Sequence, residues 1–287
     1  MIATNKILGL SVLGGFIYLV GWTVHRISAA LNVSLDPETR TTANYVLIYL
    51  VGVVSTAAFA RFVWGSSLWV HVARYWTERK RVLMGFAVTS AMTMLAASAL
   101  ALLMLILLGT PIWSAAVLHS FSLRRVTISD PSWIGAILVA TVEEVTFRGI
   151  IFNYLRLGTG PWKMLQALAG SALIFALAHR VRGPLYLFSL EDVPLLVGLT
   201  LLGVLLAVAY AVSGSLACAI GIHTGLLWVH LLGGRTHLAG WLRVSRWARR
   251  SSMDLRTQPW VWALLDGLTL GCWFARRWLR RFAAVED

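Results

Sequence analysis

Apolar runs, separated by short basic or glycine- and proline-containing connections, follow one another along almost all of this 287-residue sequence. Only 13% of the residues are charged, whereas about 25% is usual in a soluble domain. An α-helix needs about 20 predominantly apolar residues to cross the hydrocarbon core of a bilayer, where the backbone has to satisfy its own hydrogen bonds. The pattern therefore predicts an all-α polytopic membrane protein with about eight transmembrane helices.

The predicted spans are bounded by charged residues or by glycine and proline, and they are 7–24, 45–63, 82–108, 131–155, 162–179, 193–212, 216–232 and 260–274. Between the last two, the segment 235–256 interleaves arginines with Trp241, Val244 and Trp247. This spacing predicts a basic amphipathic helix that lies on the membrane surface. No internal repeat and no long polar linker divides the chain into separate soluble domains.

The excess of basic residues, 25 Lys and Arg against 12 Asp and Glu, would suggest nucleic acid as the partner of a soluble protein. Most of them, however, stand between apolar runs, where they would lie beside anionic headgroups. We therefore expect membrane lipids as partners and no nucleic acid. With no long loops or soluble domains, the composition favours a multi-pass protein of the bacterial inner membrane. The sequence has no CxxC or HExxH signature for a metal.

Three ionisable residues stand inside the fourth apolar run, in the stretch Thr-Val-Glu-Glu-Val-Thr-Phe-Arg-Gly at 141–149. Charged groups within a membrane span are costly unless they face the protein interior and find partners, so they indicate a functional site. Glu144 and Arg148 are four residues apart and can pair on one face of a helix. Glu143 points about 100° away from Glu144 and is predicted to be available for chemistry.

Two histidines also lie in or at the end of apolar runs: His179 after Phe-Ala-Leu-Ala, and His223 within Gly-Ile-His-Thr-Gly. Either one alone is more often a hydrogen-bonded core residue than a catalyst. Together with Glu143 they place three titratable groups on three helices, which favours hydrolysis. The carboxylate can act as a general base toward water, and the imidazoles can orient that water or donate to the oxyanion.

Three motifs in this order resemble those of a known family. Glu143 to Gly149 resembles EExxxR, Phe175 to His179 resembles FxxxH, and His223 begins a motif that reads HxxxN or, in many bacterial members, HxxxB with B apolar. The family is the type II CAAX prenyl endopeptidases with their bacterial relatives, the CAAX-protease and bacteriocin-processing group of intramembrane glutamic proteases. The resemblance covers about 131–232.

This resemblance implies an endopeptidase that uses no metal and no cofactor. Glu143 would be the general base, His179 would hold the catalytic water beside it, and His223 would stabilise the oxyanion. Glu144, Arg148 and Phe175 would support the site. The substrate would be a peptide, a lipoprotein or a membrane protein. The chain then divides into N-terminal transmembrane helices and loops (1–130), catalytic helices (131–232), and a basic interfacial segment with the last helix (233–287), within one membrane domain.

The departure from the family pattern is Leu227, which stands where many members have an asparagine that donates to the oxyanion. Losing such a donor can lower the rate about 100- to 1000-fold. That leaves three possibilities: a slower catalyst, a donor from elsewhere in the chain, or an inactive immunity or scaffold protein of the same fold. A separate alternative is that Glu143, His179 and His223 hold a divalent metal in a metal-dependent membrane protease.

Overall fold

In this computed structural model, the described residues are 79–107, 131–156, 160, 162–179, 192–235, 256 and 258–282, with isolated positions 54 and 58. The regular elements in these residues are all helical: α1 (Arg79–Leu107), α2 (Pro131–Glu144), a π-helix (Val145–Phe152), α3 (Asn153–Arg156), α4 (Lys163–Ala178), α5 (Val193–Ser213), α6 (Leu216–Arg235), α7 (Pro259–Phe274), α8 (Arg276–Leu279) and a 3₁₀ turn (Arg280–Phe282).

An all-helical fold is thus confirmed for the part of the chain that the structure describes. Two segments, Lys80–Leu100 and Val193–Ser213, are each 21 residues long and apolar enough to cross a membrane. Two further apolar helical segments, Lys163–Ala178 and Leu216–His230, are shorter. The predicted first span, nearly all of the second, and the interior of the predicted amphipathic helix lie outside the described residues.

The turn between α5 and α6 reverses the chain within two residues. Gly214 has a φ of 66°, and its N–H donates to the carbonyl of Tyr210 at 2.8 Å, which closes the end of α5. Glycine adopts this left-handed conformation without the steric cost that a Cβ would add. Helix α6 therefore starts beside the end of α5, and His223, about two turns further along α6, is buried.

Small residues allow the helices around the site to approach closely. A Cβ on Gly221 of α6 would lie 2.6 Å from the carbonyl oxygen of Phe86 in α1, and one on Gly225 would lie 2.8 Å from that of Ser90. The hydroxyl of Ser90 also donates to the carbonyl of Gly221 at 2.9 Å. Within a membrane, such close backbone contacts and interhelical hydrogen bonds replace the hydrophobic drive that water provides. Helix α1 is thereby fixed against the helix that carries His223.

Helices α4 and α5 meet in the same way, because a Cβ on Gly203 would lie 2.8 Å from the Cα of Ala172. Beside this contact is a core of fully buried side chains contributed by the π-helix, α4 and α5, among them Ile150, Ile151, Phe175, Leu199, Leu205 and Leu206. Helix α7 adds Leu265 to that core. The π-helix, α4, α5 and α7 are therefore joined by one packed core.

Candidate active site

The two adjacent glutamates are the last residues of the α-helical part of their span, and a π-helix, Val145–Phe152, begins immediately after them. The sequence predicted one helical span over 131–155, and the structure shows that the part from Val145 to Phe152 is π-helical. Asn153 stabilises the far end of the π-helix, where its amide donates to the carbonyl of Gly149 and to the hydroxyl of Tyr210 in α5, both at 2.9 Å. π-helical turns are rare and occur frequently at functional sites.

Glu144 belongs to a buried network of charged groups. Its Oε1 lies 3.0 Å from Nη1 of Arg148 and 2.8 Å from Nδ1 of His223, and Glu144 and Arg148 are both fully buried. Nη2 of Arg148 donates to the carbonyl of Gly203 in α5 at 2.9 Å. Burying a charge is costly unless it is paired and hydrogen-bonded, so this network joins α2, the π-helix, α5 and α6 only while all its members are present.

Phe175 contacts both this network and His179. The guanidinium carbon of Arg148 is 4.7 Å from the centre of its ring, and the ring of Phe147 meets it edge-on at 5.0 Å. The ring of His179 lies on another side, with 4.4 Å between the centroids. A cation over an aromatic face and edge-to-face rings are both favourable arrangements. Phe175 therefore fixes the positions of Arg148 and His179 together.

Glu143 has looser contacts and partial access to solvent. Its Oε1 is 3.5 Å from Nε2 of His179, its Oε2 is 3.8 Å from Nε2 of His223, and the side chains of Glu143 and His179 are 23% and 24% exposed. Nδ1 of His179 lies 2.8 Å from the carbonyl of Phe175, which can only accept, so this nitrogen carries a proton and donates. Nε2 of His179 is left to face Glu143.

A cavity of about 220 Å³ opens beside Glu143, His179 and His223, and most of the rest of its wall is apolar, including Leu202, Leu226, Leu264 and Leu265. Position 227 also lines it, so the departure from the family motif places a leucine side chain on the cavity wall. The geometry therefore brings a carboxylate and two imidazoles to the edge of a largely apolar cavity, in which few polar groups can bind water.

The part of the chain that holds these residues has a family match. Residues 131–229 match the family model of the type II CAAX prenyl endopeptidases, Rce1-like. This family consists of membrane-embedded proteases, and the match confirms the resemblance predicted from the three motifs. It covers all six residues that the sequence singled out: Glu143, Glu144, Arg148, Phe175, His179 and His223. No curated protein and no solved structure matches the chain.

The structure brings those six residues together within the Rce1-like segment, and it adds residues that sequence reasoning missed. Asn153 could have been found, because it is a polar side chain directly after three apolar residues. Gly203 could not have been found, because it contributes only its backbone carbonyl, which every residue has. Arg256 and Trp260 line the cavity from beyond the matched segment, and their positions at the end of the basic segment and at the start of a span indicated no role at the site. Among the described residues, no group of three or more His, Cys, Asp or Glu is arranged to hold a metal ion.

Proposed function

We propose that this protein is a glutamate-dependent intramembrane endopeptidase that hydrolyses a peptide bond of a membrane-associated or lipidated substrate, with Glu143 activating water. One observation carries the proposal. Of two adjacent glutamates, Glu144 is fully buried and held by short contacts, whereas Glu143 lies at a cavity with no contact to an imidazole shorter than 3.5 Å. The buried ion pair of Glu144 and Arg148 does not need the carboxylate of Glu143.

The first step follows from the positions of two acceptors. A water molecule in the cavity can donate one hydrogen to Glu143 and the other to Nε2 of His179, which is an acceptor when Nδ1 carries the proton of the neutral ring. Both lone pairs of the water oxygen then point away from these groups and toward a substrate carbonyl. Glu143 takes the proton as the oxygen attacks the carbonyl carbon, and it can later give that proton to the leaving amine.

His223 has a different task, because its Nδ1 is bound to the buried Glu144. Its Nε2 is directed to the side of Glu143, and the ring lines the cavity. When the ring carries both protons, Nε2 donates to the oxyanion that forms as the water attacks. The Glu144–Arg148 pair therefore supports the reaction by fixing this imidazole, without contacting the substrate.

The remaining parts of the proposal come from the sequence and the family. We place the protein in the bacterial inner membrane as a multi-pass chain of eight spans, with the catalytic helices at 131–232 and the basic segment at the lipid surface. Its substrate is a peptide, lipoprotein or membrane protein. Prenylated CAAX substrates and bacteriocin precursors are both members of this class, and no cofactor takes part.

The decisive experiment compares peptide termini in membranes and medium from cells that carry the wild type or Glu143→Gln. New termini should appear only with the wild type, and a chelator should not remove them. The control is Asp266→Asn, which removes an exposed carboxylate from α7 outside the cavity and should leave cleavage unchanged.

Full cleavage by Glu143→Gln would refute the proposed mechanism. Cleavage that a chelator removes and zinc restores would favour the metal-dependent alternative. Identical termini for both proteins at equal folded abundance would favour the inactive scaffold, for which the Leu227 side chain on the cavity wall is the structural argument.

A further inference from the structure

We infer that the indole N–H of Trp260 donates a hydrogen bond to the carbonyl oxygen of the scissile peptide, in the role that the asparagine has in HxxxN members of the family. The inference rests on the proposed function and concerns a residue beyond the Rce1-like segment at 131–229. Trp260 lies in the first turn of α7 and forms part of the same cavity wall as Glu143, His223 and Leu227.

Several polar side chains line the cavity. His223 is the donor assigned above, and His230 and Arg256 each have an interaction within the protein. Leu227 has no polar atom, and Nδ1 of His179 already donates to the carbonyl of Phe175. Trp260 differs from both, because its Nε1 is buried and has no hydrogen-bond partner among the described residues. An indole nitrogen can only donate, and buried donors in proteins are almost always paired. The N–H of Trp260, a residue of the cavity wall, is therefore available to an acceptor on a bound substrate.

A second indole on the same helix shows the contrast. Nε1 of Trp262 donates to the carbonyl of Arg256 at 2.8 Å, so this residue is used to hold the start of α7 in place. The absence of a side chain at Gly198 of α5 leaves room for this hydrogen bond, because a Cβ there would lie 3.1 Å from the same Nε1. The indole N–H of Trp262 is thus used in a structural hydrogen bond. The indole N–H of Trp260, two residues earlier, has no such bond among the described residues.

The chemistry asks of Trp260 only a hydrogen bond. As the water oxygen bonds to the carbonyl carbon, the π electrons of the C=O bond move to its oxygen, and the proton of the water passes to Glu143. The Trp260 N–H donates to the resulting oxyanion and keeps its proton throughout. Because the N–H has no protein partner, a substrate carbonyl that bonds to it displaces none, and the bond strengthens as negative charge develops.

The test is Trp260→Phe, which keeps an aromatic ring in the cavity wall and removes the N–H. We expect kcat to fall about 100-fold with KM changed less than about threefold, since the bond is strongest in the transition state. The matched control is Trp273→Phe on the same helix, where the ring is 53% exposed and outside this cavity. This control should keep wild-type kcat, and both variants should keep the wild-type melting temperature.

A second arm uses the position of the missing asparagine. In the Trp260→Phe background, Leu227→Asn should raise kcat at least about tenfold. In the wild-type background, the same substitution should raise kcat less than about threefold. An unchanged kcat in Trp260→Phe, or a change in KM alone, would overturn the inference. If Trp260→Phe proves unstable, Leu227→Asn in the wild-type background tests the inference alone. A gain in kcat of about 100-fold would mean that the wild type has no donor at this position, and it would overturn the inference. The two claims can therefore be distinguished. If the wild type cleaves its substrate and Glu143→Gln does not, the proposed function is supported even when the Trp260 variants contradict the inference.

Discussion

Glu143 and Glu144 are neighbours in sequence and identical in chemistry, yet the structure gives them opposite surroundings. Oε1 of Glu144 has two partners, at 3.0 and 2.8 Å, and the residue has no exposed surface. The nearest imidazole nitrogens to Glu143 are at 3.5 and 3.8 Å, and its side chain is 23% exposed. The short contacts of Glu144 join three helical segments, α2, the π-helix and α6, whereas the longer ones of Glu143 leave space for a water molecule and a substrate.

The comparison shows how one helix can hold a fully buried carboxylate directly beside one that lies at a cavity. A rotation of about 100° separates consecutive side chains, so one glutamate faces the interior of the bundle and the other faces the cavity. His223 contacts both, with Nδ1 at Glu144 and Nε2 on the side of Glu143. Changes on the two sides should therefore have different consequences, for folding on one and for turnover on the other.

The largest effect on folding is expected from Arg148→Ala. It leaves the carboxylate of Glu144 buried without its guanidinium, which should cost about 3–5 kcal/mol of unfolding free energy. The folded fraction after detergent extraction and the thermal unfolding midpoint would both fall, and activity would fall with them. Arg156→Ala, at an exposed position on α3, is the control and should change stability by less than about 0.5 kcal/mol. Equal midpoints for the two variants would contradict the assigned role of the network.

An intermediate effect is expected from Gly221→Ala, which tests whether the position of His223 depends on the contact between α6 and α1. The new Cβ would lie 2.6 Å from the carbonyl oxygen of Phe86, and crowding of this kind typically costs about 1–3 kcal/mol. We expect a lower unfolding midpoint and a lower kcat, because His223 is two residues away. Gly267→Ala on α7 meets nothing within 4 Å and should be neutral or stabilising by up to about 1 kcal/mol. A neutral Gly221→Ala would show that the two helices can separate freely.

The smallest effect is expected from Tyr210→Phe, which removes the hydroxyl that accepts from Asn153 at the end of the π-helix. One such hydrogen bond contributes about 1 kcal/mol, so the midpoint should decrease slightly while cleavage continues. Tyr154→Phe, for which the described residues provide no hydrogen bond to the hydroxyl, should have the wild-type midpoint. A Tyr210→Phe variant as stable as Tyr154→Phe would mean that this contact does not stabilise the π-helix.

Local features of the fold and site could be predicted from the sequence, and interhelical ones could not. The spacing of Glu144 and Arg148 predicts their ion pair because both residues belong to one helix. The predicted span 193–212 differs from the observed helix Val193–Ser213 by one residue, since Pro194 and Gly214 mark its ends. By contrast, the contact between Glu144 and His223 joins residues 79 positions apart, and no motif spacing specifies it.

The donors and acceptors around the site divide in the same way. The resemblance to the family suggested a role for His223 at the oxyanion, but its bond to Glu144 emerged only from the packing of α6. The carbonyl of Gly203 serves Arg148 through the backbone, which residue identity does not reveal. Trp260 looked like an ordinary aromatic residue at a membrane interface, because an unpaired N–H can be recognised only when its neighbours are known.

The π-helix also limits which changes in length this chain can accept. Its hydrogen bonds run from i to i+5, so its turns hold more residues than those of an α-helix. Deleting one residue between 145 and 152 would allow ordinary α-helical bonds to form, and the residues that follow would keep nearly the same orientation, because the narrower α-helical turn needs one residue fewer. Deleting one residue from the α-helical part of the span, 131–144, would instead rotate the segments on its two sides by about 100° relative to each other. The π-helix is therefore the place where this span can lose one residue and still keep Asn153 aligned with Tyr210 of its neighbour.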